Sequence, residues 1–334
     1  MNIEKNIIEK IRKLYPYDKN QINRCFESDS EIIKDNDSYL LCTIDEFSKD
    51  DYFGESDPAL LGKNLASASL TDIYVSGGDP LWIMHSLTAS SKWSEKYIVN
   101  LNKAMSGVYK EHNVYMIGGD FSIDCDWRFT SSVIGKTVKP IMRSGANHGD
   151  IIFISRKIGG CNVNAAVQSL KLPLLNKVTS FRVELDYKQI KIMQKFASSC
   201  TDTSDGFLHA IKSLCDAGDH GCELTDIPLV SGSNIIEKLS GYSRYLLAFA
   251  EAGEYAFCFT VPKSRYDEFI NEARSEKVKF YEVGAVVEQK TKRITNEHFT
   301  IDFTGYSFSA RDYKNMKDYI EMLNKWFQKS CSYE

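Results

Sequence analysis

The sequence predicts two domains that each mix helices with strands. Three observations predict it. The chain has 334 residues, which suits two domains of ordinary size or one large one. Hydrophobic periodicity switches repeatedly between the strand repeat and the helix repeat. A polar loop, Arg143-Ser144-Gly145-Ala146-Asn147-His148-Gly149-Asp150, interrupts this pattern, and the same mixture resumes after it. We therefore divide the chain into an N-terminal domain over 1–140 and a C-terminal domain over 141–334.

The elements follow in order. Ile7, Ile8, Ile11 and Leu14 predict a short amphipathic helix over 3–14. Asp29-Ser30-Glu31 leads into Ile32-Ile33. Ser38 to Asp45 reads as a strand that ends in a carboxylate. Asp57-Pro58 starts a helix, with an N-cap followed by proline at the first helical position. Leu61, Leu65, Ala68 and Asp72 share one face of that helix. An inward carboxylate is costly unless paired, protonated or bound to a cation, although an edge position in water would also satisfy it. Gly77-Gly78-Asp79-Pro80 ends the helix, and Leu81 to Thr88 is a strand. A helix spans 94–112. The strand Val114-Tyr115-Met116-Ile117 is expected to stop at Gly118-Gly119-Asp120, where paired glycines would let backbone approach a ligand. As a lone motif it reads equally as a tight turn. Strands follow at 129–135 and 151–154.

In the second half, helices are predicted at 187–199, 206–217 and 264–275, and strands near 254–261 and 278–287. Between the first two helices lies Thr201-Asp202-Thr203-Ser204-Asp205-Gly206, read as a connection. Ser204 or Asp205 can cap the following helix and leave backbone N–H groups free for an anion. Alone, this is only a rich N-cap. The tail over 310–329 is amphipathic and is expected to pack on its own domain, with a partner surface as the alternative.

Composition narrows the function. The chain is 43% hydrophobic and 26% charged, which fits a soluble protein with a substantial core. A net charge of −4 without a Lys/Arg block argues against nucleic acid or an anionic membrane as the main partner. Nine cysteines, an odd number with no C-x-x-C pair, read as reduced thiols. Met1-Asn2-Ile3-Glu4-Lys5 shows no apolar leader and no run is long enough to span a membrane, so a cytoplasmic location is expected. Phosphate-loop, dinucleotide, zinc-protease and serine-elbow signatures are all absent.

What recurs is the acidic turn. Asp29, Asp45, Asp72, Asp120, Asp202 and Asp205 fall at ends of predicted elements or on an inward face, with Thr43 and Ser204 supplying hydroxyls. Carboxylates and hydroxyls without His or Cys are hard-oxygen ligands. They suit Mg²⁺ shared with phosphate oxygens, the arrangement that stabilises phosphoryl transfer.

These residues carry a resemblance. Thr43-Ile44-Asp45, Leu70-Thr71-Asp72-Ile73, Ile117-Gly118-Gly119-Asp120, Ile134-Gly135, Arg143-Ser144-Gly145-Ala146 with Gly149-Asp150, and Asp202-Thr203-Ser204-Asp205-Gly206 keep a characteristic order and spacing. Over most of 20–310 the chain resembles the thiamine-monophosphate kinase family. That family lies within the superfamily of aminoimidazole ribonucleotide synthetase and selenophosphate synthetase. The resemblance implies an α/β N-terminal domain that dimerises through its sheet and an α+β C-terminal domain, with ATP and Mg²⁺ between them. It implies metal ligation by Asp29, Thr43, Asp45, Asp72, Asp120, Asp202 and Asp205, with Asp120, Asp202 and Asp205 central to catalysis. Gly119, Asp120, Arg143 and Ser204 would hold ATP. The implied reaction moves the γ-phosphoryl group of ATP to the phosphate of thiamine monophosphate, giving thiamine diphosphate.

The substrate half departs from the family. The first acidic turn, Gly-Asp-Asp-Ala-Ala in the family, is Glu27-Ser28-Asp29-Ser30-Glu31 here. Tyr52 stands where a substrate-facing histidine is expected. The Gly-Glu-Asp-Tyr-Glu segment becomes Ala252-Gly253-Glu254-Tyr255-Ala256, and Gly305-Tyr306-Ser307-Phe308 retains part of a terminal aromatic feature. Tyr52, Glu254 and Tyr306 are the candidate substrate contacts, although Tyr306 reads equally as a core tyrosine. Two alternatives stay open: a relative that uses ATP to activate another small molecule in cyclase or dehydratase fashion, and a nucleotide-binding paralogue without catalysis.

Overall fold

The structure, a computed structural model, describes residues 3–169 and 181–332. The N-terminal part contains α1 (Ile3–Arg12), β1 (Glu31–Asp35), β2 (Ser38–Ser48), α2 (Pro58–Val75), β3 (Asp79–Ser90), α3 (Glu95–Glu111), β4 (Tyr115–Asp124) and β5 (Arg128–Thr137). Its five strands lie in the order β1-β2-β5-β3-β4, and only β3 and β4 pair in parallel. Helix α2 begins as its sequence demands: the Asp57 carboxylate accepts the N–H groups of Ala59 and Leu60, with Pro58 behind it. It is buried along nearly its whole length, between the sheet and α3. The opposite sheet face is open. Ile44 is 71% exposed and Tyr115 67%, with Trp82 and Met84 between them.

The second part contains β6 (Ile151–Ile154), α4 (Gly160–Ser169), α5 (Tyr187–Phe196), β7 (Ser199–Asp202), α6 (Phe207–Ala217), β8 (Gly221–Leu224), α7 (Gly232–Ser240), α8 (Leu246–Phe249), β9 (Phe257–Val261), α9 (Tyr266–Ser275), β10 (Tyr281–Val287), β11 (Lys292–Thr295), β12 (Thr300–Asp302), α10 (Met316–Ser330) and β13 (Cys331–Ser332). Its eight strands run β13-β12-β11-β8-β10-β6-β9-β7. One apolar core joins α2 and the first sheet to α5, β7 and β9. A second surrounds α6 and α10. The tail helix α10 buries Tyr319, Leu323 and Phe327 in that second core, so it packs on its own domain.

Two expectations are corrected. Strand β4 does not stop at Gly118 but runs through Gly119 and Asp120 to Asp124, paired with β3 on both sides of a bulge at Ile117. The segment Ser199–Asp202 is not a connection. It is a strand, held by antiparallel pairing with β9 from Ser199↔Thr260 to Asp202↔Phe257. In both places long-range pairing overrides a weak local signal.

Candidate active site

Three carboxylates meet where the two parts join. Asp29 precedes β1. The turn that carries it is tied to the end of α2: Ser76 Oγ accepts the Ser30 N–H at 3.1 Å, and Ser30 Oγ donates to the Asp72 carbonyl at 3.0 Å. Asp72 lies near the end of α2, where Thr43 Oγ1 of β2 donates to its Oδ2. Asp202 ends β7. Its Oδ1 accepts the Ser204 N–H at 3.1 Å and the Ser204 hydroxyl at 2.6 Å, while Thr71 Oγ1 lies 2.9 Å from its Oδ2. One oxygen from each of Asp29, Asp72 and Asp202 lies within 4.8 Å of the others. Asp45, two residues beyond Thr43 on the same strand face, adds a fourth negative charge to this field.

The electrostatics show what the cluster lacks. Burial first, and then Asp202, Asp29 and Asp205, push the Asp45 carboxyl up to about 7. Burial and the charges of Asp45 and Asp202 hold Asp72 well above the ordinary carboxylate range. Burial and Asp29 push Asp202 up to about 6, against hydrogen bonds from Ser204 and Thr71. Buried like charges at this spacing need protons or a cation. The donor set is all oxygen, so it fits a hard divalent cation. Asp205, one turn on, is exposed and lies close enough for its charge to act on Asp45.

Arg143 stands at the edge of the cluster in a short 3₁₀ turn. Its guanidinium grips Asp29, with Nη2 at 2.7 Å from Oδ1 and Nε at 3.2 Å from Oδ2. Burial disfavours the guanidinium charge, but Asp29 more than restores it. Sequence reasoning missed three neighbours: Thr201, whose hydroxyl donates to Asp29 Oδ1 at 2.8 Å; Thr71; and Asp51, pushed up to about 6 by burial. Each threonine directly precedes one of the clustered aspartates in sequence, which was its only signal.

The structure does not bring Asp120 to this cluster. Sheet register runs Glu46↔Thr130↔Ser86↔Asp120, so Asp120 lies on the open face, whereas Asp45 shares the inner row with Ser131, His85 and Gly119. Three inter-strand steps of about 4.8 Å separate β2 from β4. The need for glycine at 119 is also internal, because a Cβ there would come within 2.8 Å of the His85 carbonyl. Gly119 and Asp120 border a cavity of about 470 Å³. It shares His85, Asn102 and Met116 with a neighbouring cavity of about 380 Å³ that lies between α3 and β4. There His85 Nδ1 and the Tyr109 hydroxyl are buried without a hydrogen-bond partner among the described residues.

The candidate substrate contacts fare differently. Tyr52 is half-buried in a left-handed conformation, its hydroxyl 3.3 Å from Ser169 Oγ of α4. Glu254 does not face a cleft: it is buried beneath α4, accepting the N–H groups of Gly160, Cys161 and Asn162 at 3.0 to 3.2 Å. Tyr306 is a core residue, fully buried, donating to the Phe249 carbonyl at 2.6 Å and packed against Trp326.

Comparison with known proteins matches the chain in two stretches. The family model "AIR synthase related protein, N-terminal domain" matches residues 27–137, and its C-terminal domain counterpart matches 143–296. A thiamine-monophosphate kinase of Aquifex aeolicus is 23% identical over 243 residues, covering 70% of this chain and 79% of that one. One from Methanocaldococcus jannaschii is 28% identical over 229 residues, covering 66% and 71%. Among solved structures, AaThiL complexed with AMPPCP and TMP aligns with a TM-score of 0.68 at 21% identity, covering 86% of this chain and 91% of that one.

Proposed function

The chain belongs to the AIR synthase related family in both of its parts, and from that premise we propose that it is an ATP-dependent phosphotransferase that converts thiamine monophosphate to thiamine diphosphate. The observation that carries this reading is the Asp29–Asp72–Asp202 cluster with Arg143 at its edge, in a chain whose curated relatives are thiamine-monophosphate kinases.

The division of labour follows from the chemistry. The acceptor phosphate is already an anion at neutral pH, so no general base is required; alignment and charge neutralisation are the main tasks. Asp29, Asp72 and Asp202, with Thr43 and Asp45 behind them, would hold the Mg²⁺ ions. Bound there, Mg²⁺ would supply positive charge to the phosphate oxygens as the phosphoryl group transfers. Thr43, Thr71 and Thr201 orient the carboxylates. Ser204, held through Asp202, and Arg143 face the polyphosphate. We assign the nucleoside to the paired cavities beside Gly119 and Asp120 of a second copy of this chain, the copy whose Asp120 would complete the site.

The separation of Asp120 from the cluster supports a homodimer. The open apolar face and the exposed edge strand β4 fit a second copy of this chain, whose Asp120 would complete the site across the interface. The reduced thiols from Cys25 to Cys258 fit a cytoplasmic setting; among the described residues no helix is long and apolar enough to cross a membrane. Burial of Glu254 and Tyr306 favours a second reading, in which the ATP half is retained but the acceptor is another small molecule.

The test incubates purified protein with ATP and Mg²⁺, with and without thiamine monophosphate, and assays directly for thiamine diphosphate. Formation of diphosphate supports the kinase reading. ATP binding without diphosphate rejects thiamine monophosphate as acceptor and leaves the second reading.

A further inference from the structure

The Asp29 carboxylate is almost fully occupied. Oδ1 accepts from Arg143 Nη2 at 2.7 Å and from Thr201 Oγ1 at 2.8 Å, and Oδ2 accepts from Arg143 Nε at 3.2 Å. A carboxylate offers about four in-plane acceptor positions, so one remains, on Oδ2. The side chain of Asp29 is 3% exposed, and that of Arg143 is 21% exposed. The backbone beneath Arg143 is fixed. Its N–H donates to the Glu27 carbonyl at 2.9 Å, and Gly145 lies so close to Ser198 that a Cβ there would meet the carbonyl oxygen at 1.8 Å. The guanidinium thus stands on a rigid backbone and is one-fifth exposed; beyond Asp29 it donates, among the described residues, only to neutral oxygens, Nε to Thr201 Oγ1 at 3.2 Å and Nη1 to the Phe26 carbonyl at a long 3.5 Å.

We propose that Arg143 is a resident counter-ion. It occupies Asp29 until a polyphosphate draws it away, so the cluster accepts divalent cations strongly only together with nucleotide. This inference rests on reading the cluster as a cation site. A bare cation approaching Asp29 meets a guanidinium and a single open acceptor position, both unfavourable to ligation. A phosphate group offers that guanidinium the same two-oxygen grip as a carboxylate. Exchanging one partner for the other keeps both hydrogen bonds while freeing Asp29 for the cation. Without Arg143, the Thr201 hydroxyl would be the one side-chain contact left to Asp29 among the described residues, and it brings no positive charge to offset the repulsion with Asp202 and Asp72. By linkage, a cation that depends on nucleotide must strengthen nucleotide binding by the same factor.

The test uses the full chain and calorimetric titration with Mn²⁺, alone and with a non-hydrolysable ATP analogue. For the native protein, the analogue should tighten Mn²⁺ binding on the order of tenfold or more. Arg143→Gln should tighten binding of Mn²⁺ alone by a comparable factor and lose most of the further gain from nucleotide. If Arg143→Gln binds bare Mn²⁺ no better than the native protein, the inference is overturned. Should that variant not fold, Arg143→Lys replaces it. Lysine keeps the charge but not the two-point grip, so bare Mn²⁺ should bind more tightly than to the native protein, and no tightening overturns the inference. Asp72→Asn separates the two levels: Mn²⁺ binding that survives it at full strength rejects the cation site itself rather than the exchange of partners.

Discussion

Thr43 and Asp72 are joined by a hydrogen bond from the threonine hydroxyl to Oδ2, and this bond fastens strand β2 to helix α2 where the carboxylates converge. It fixes one oxygen of Asp72, whose carboxylate has an oxygen within 4.8 Å of those of Asp29 and Asp202. Asp72 is therefore held for ligation at a cost to the ligand-free fold, because burial and its neighbours' charges oppose its ionisation. Asp72→Asn should lower turnover by about 10²–10³-fold, the scale seen on removing one electrostatic stabiliser. The same change should raise ligand-free stability by about 0.5–2 kcal/mol, the usual exchange of stability for function. A chemical denaturation midpoint that falls instead would mean the carboxylate is not strained.

The cluster also predicts how cation binding varies with pH. Asp45 is pushed up to about 7 and Asp202 to about 6, against an ordinary value of 3.8. For carboxyls raised on folding, the native state holds the extra protons. Their contribution to stability is full below 3.8 and is lost as pH rises through 6 to 7. Cations require the ionised forms, so their binding releases protons over that window. The Mg²⁺-induced rise in melting temperature should be larger at about pH 8 than at about pH 5.5. Equal rises at both would show that the carboxylates are already ionised at the lower pH.

Glu254 separates a structural role from a substrate role. Its carboxylate accepts three N–H groups at the start of α4, so Glu254→Ala should destabilise the protein by about 3 kcal/mol. Glu254→Gln keeps one acceptor oxygen and should cost less, with the substrate KM unchanged. A large KM change in that variant would return Glu254 to the substrate site.

These cases mark what the sequence could reveal. Asp57-Pro58 declares the start of α2 because its cap is local. The start of α4 at Gly160 went unread because its cap, Glu254, arrives from 94 residues away. Asp29 and Asp202 were legible as acidic residues at element ends, and Asp72 as a carboxylate on the inward face of a helix. Their neighbour Asp51 was not, since its altered acidity comes from burial that only the assembled fold creates. Asp120 was legible as a motif, but the sheet face it occupies depends on register, and one step along a strand reverses it.

A second pH effect should arise away from the cluster. His209 Nε2 lies 2.8 Å from Glu251 Oε1 and 2.9 Å from the Phe308 carbonyl. Burial lowers the pKa of the ring, but the Glu251 partner outweighs it and the net shift is upward from 6.5. A histidine raised on folding gives its full stability below 6.5, and that stability is lost as pH rises through the folded value. Unfolding free energies measured across this range should fall toward alkaline pH in the native protein and fall less in His209→Gln. Parallel profiles would show that the pair does not titrate with folding.

The open sheet face makes the last prediction. Ile44, Trp82, Met84 and Tyr115 lie on it, and β4 ends the sheet order with nearly every residue exposed. An apolar face beside an unpaired edge is a surface that soluble monomers avoid. Ile44 is 71% exposed in the single chain, so Ile44→Asp should leave the fold of that chain intact. If two copies meet there, each would bury a carboxylate at the seam, and the assembly should dissociate. Light scattering at about 10 μM, a concentration at which stable dimers remain associated, should give a dimer for the native protein and a monomer for the variant. Asp120 is set apart from the cluster of its own chain by the sheet register. The monomeric variant should therefore lose activity while retaining native melting behaviour. A native protein that is monomeric and active would reject both the interface and the sharing of Asp120.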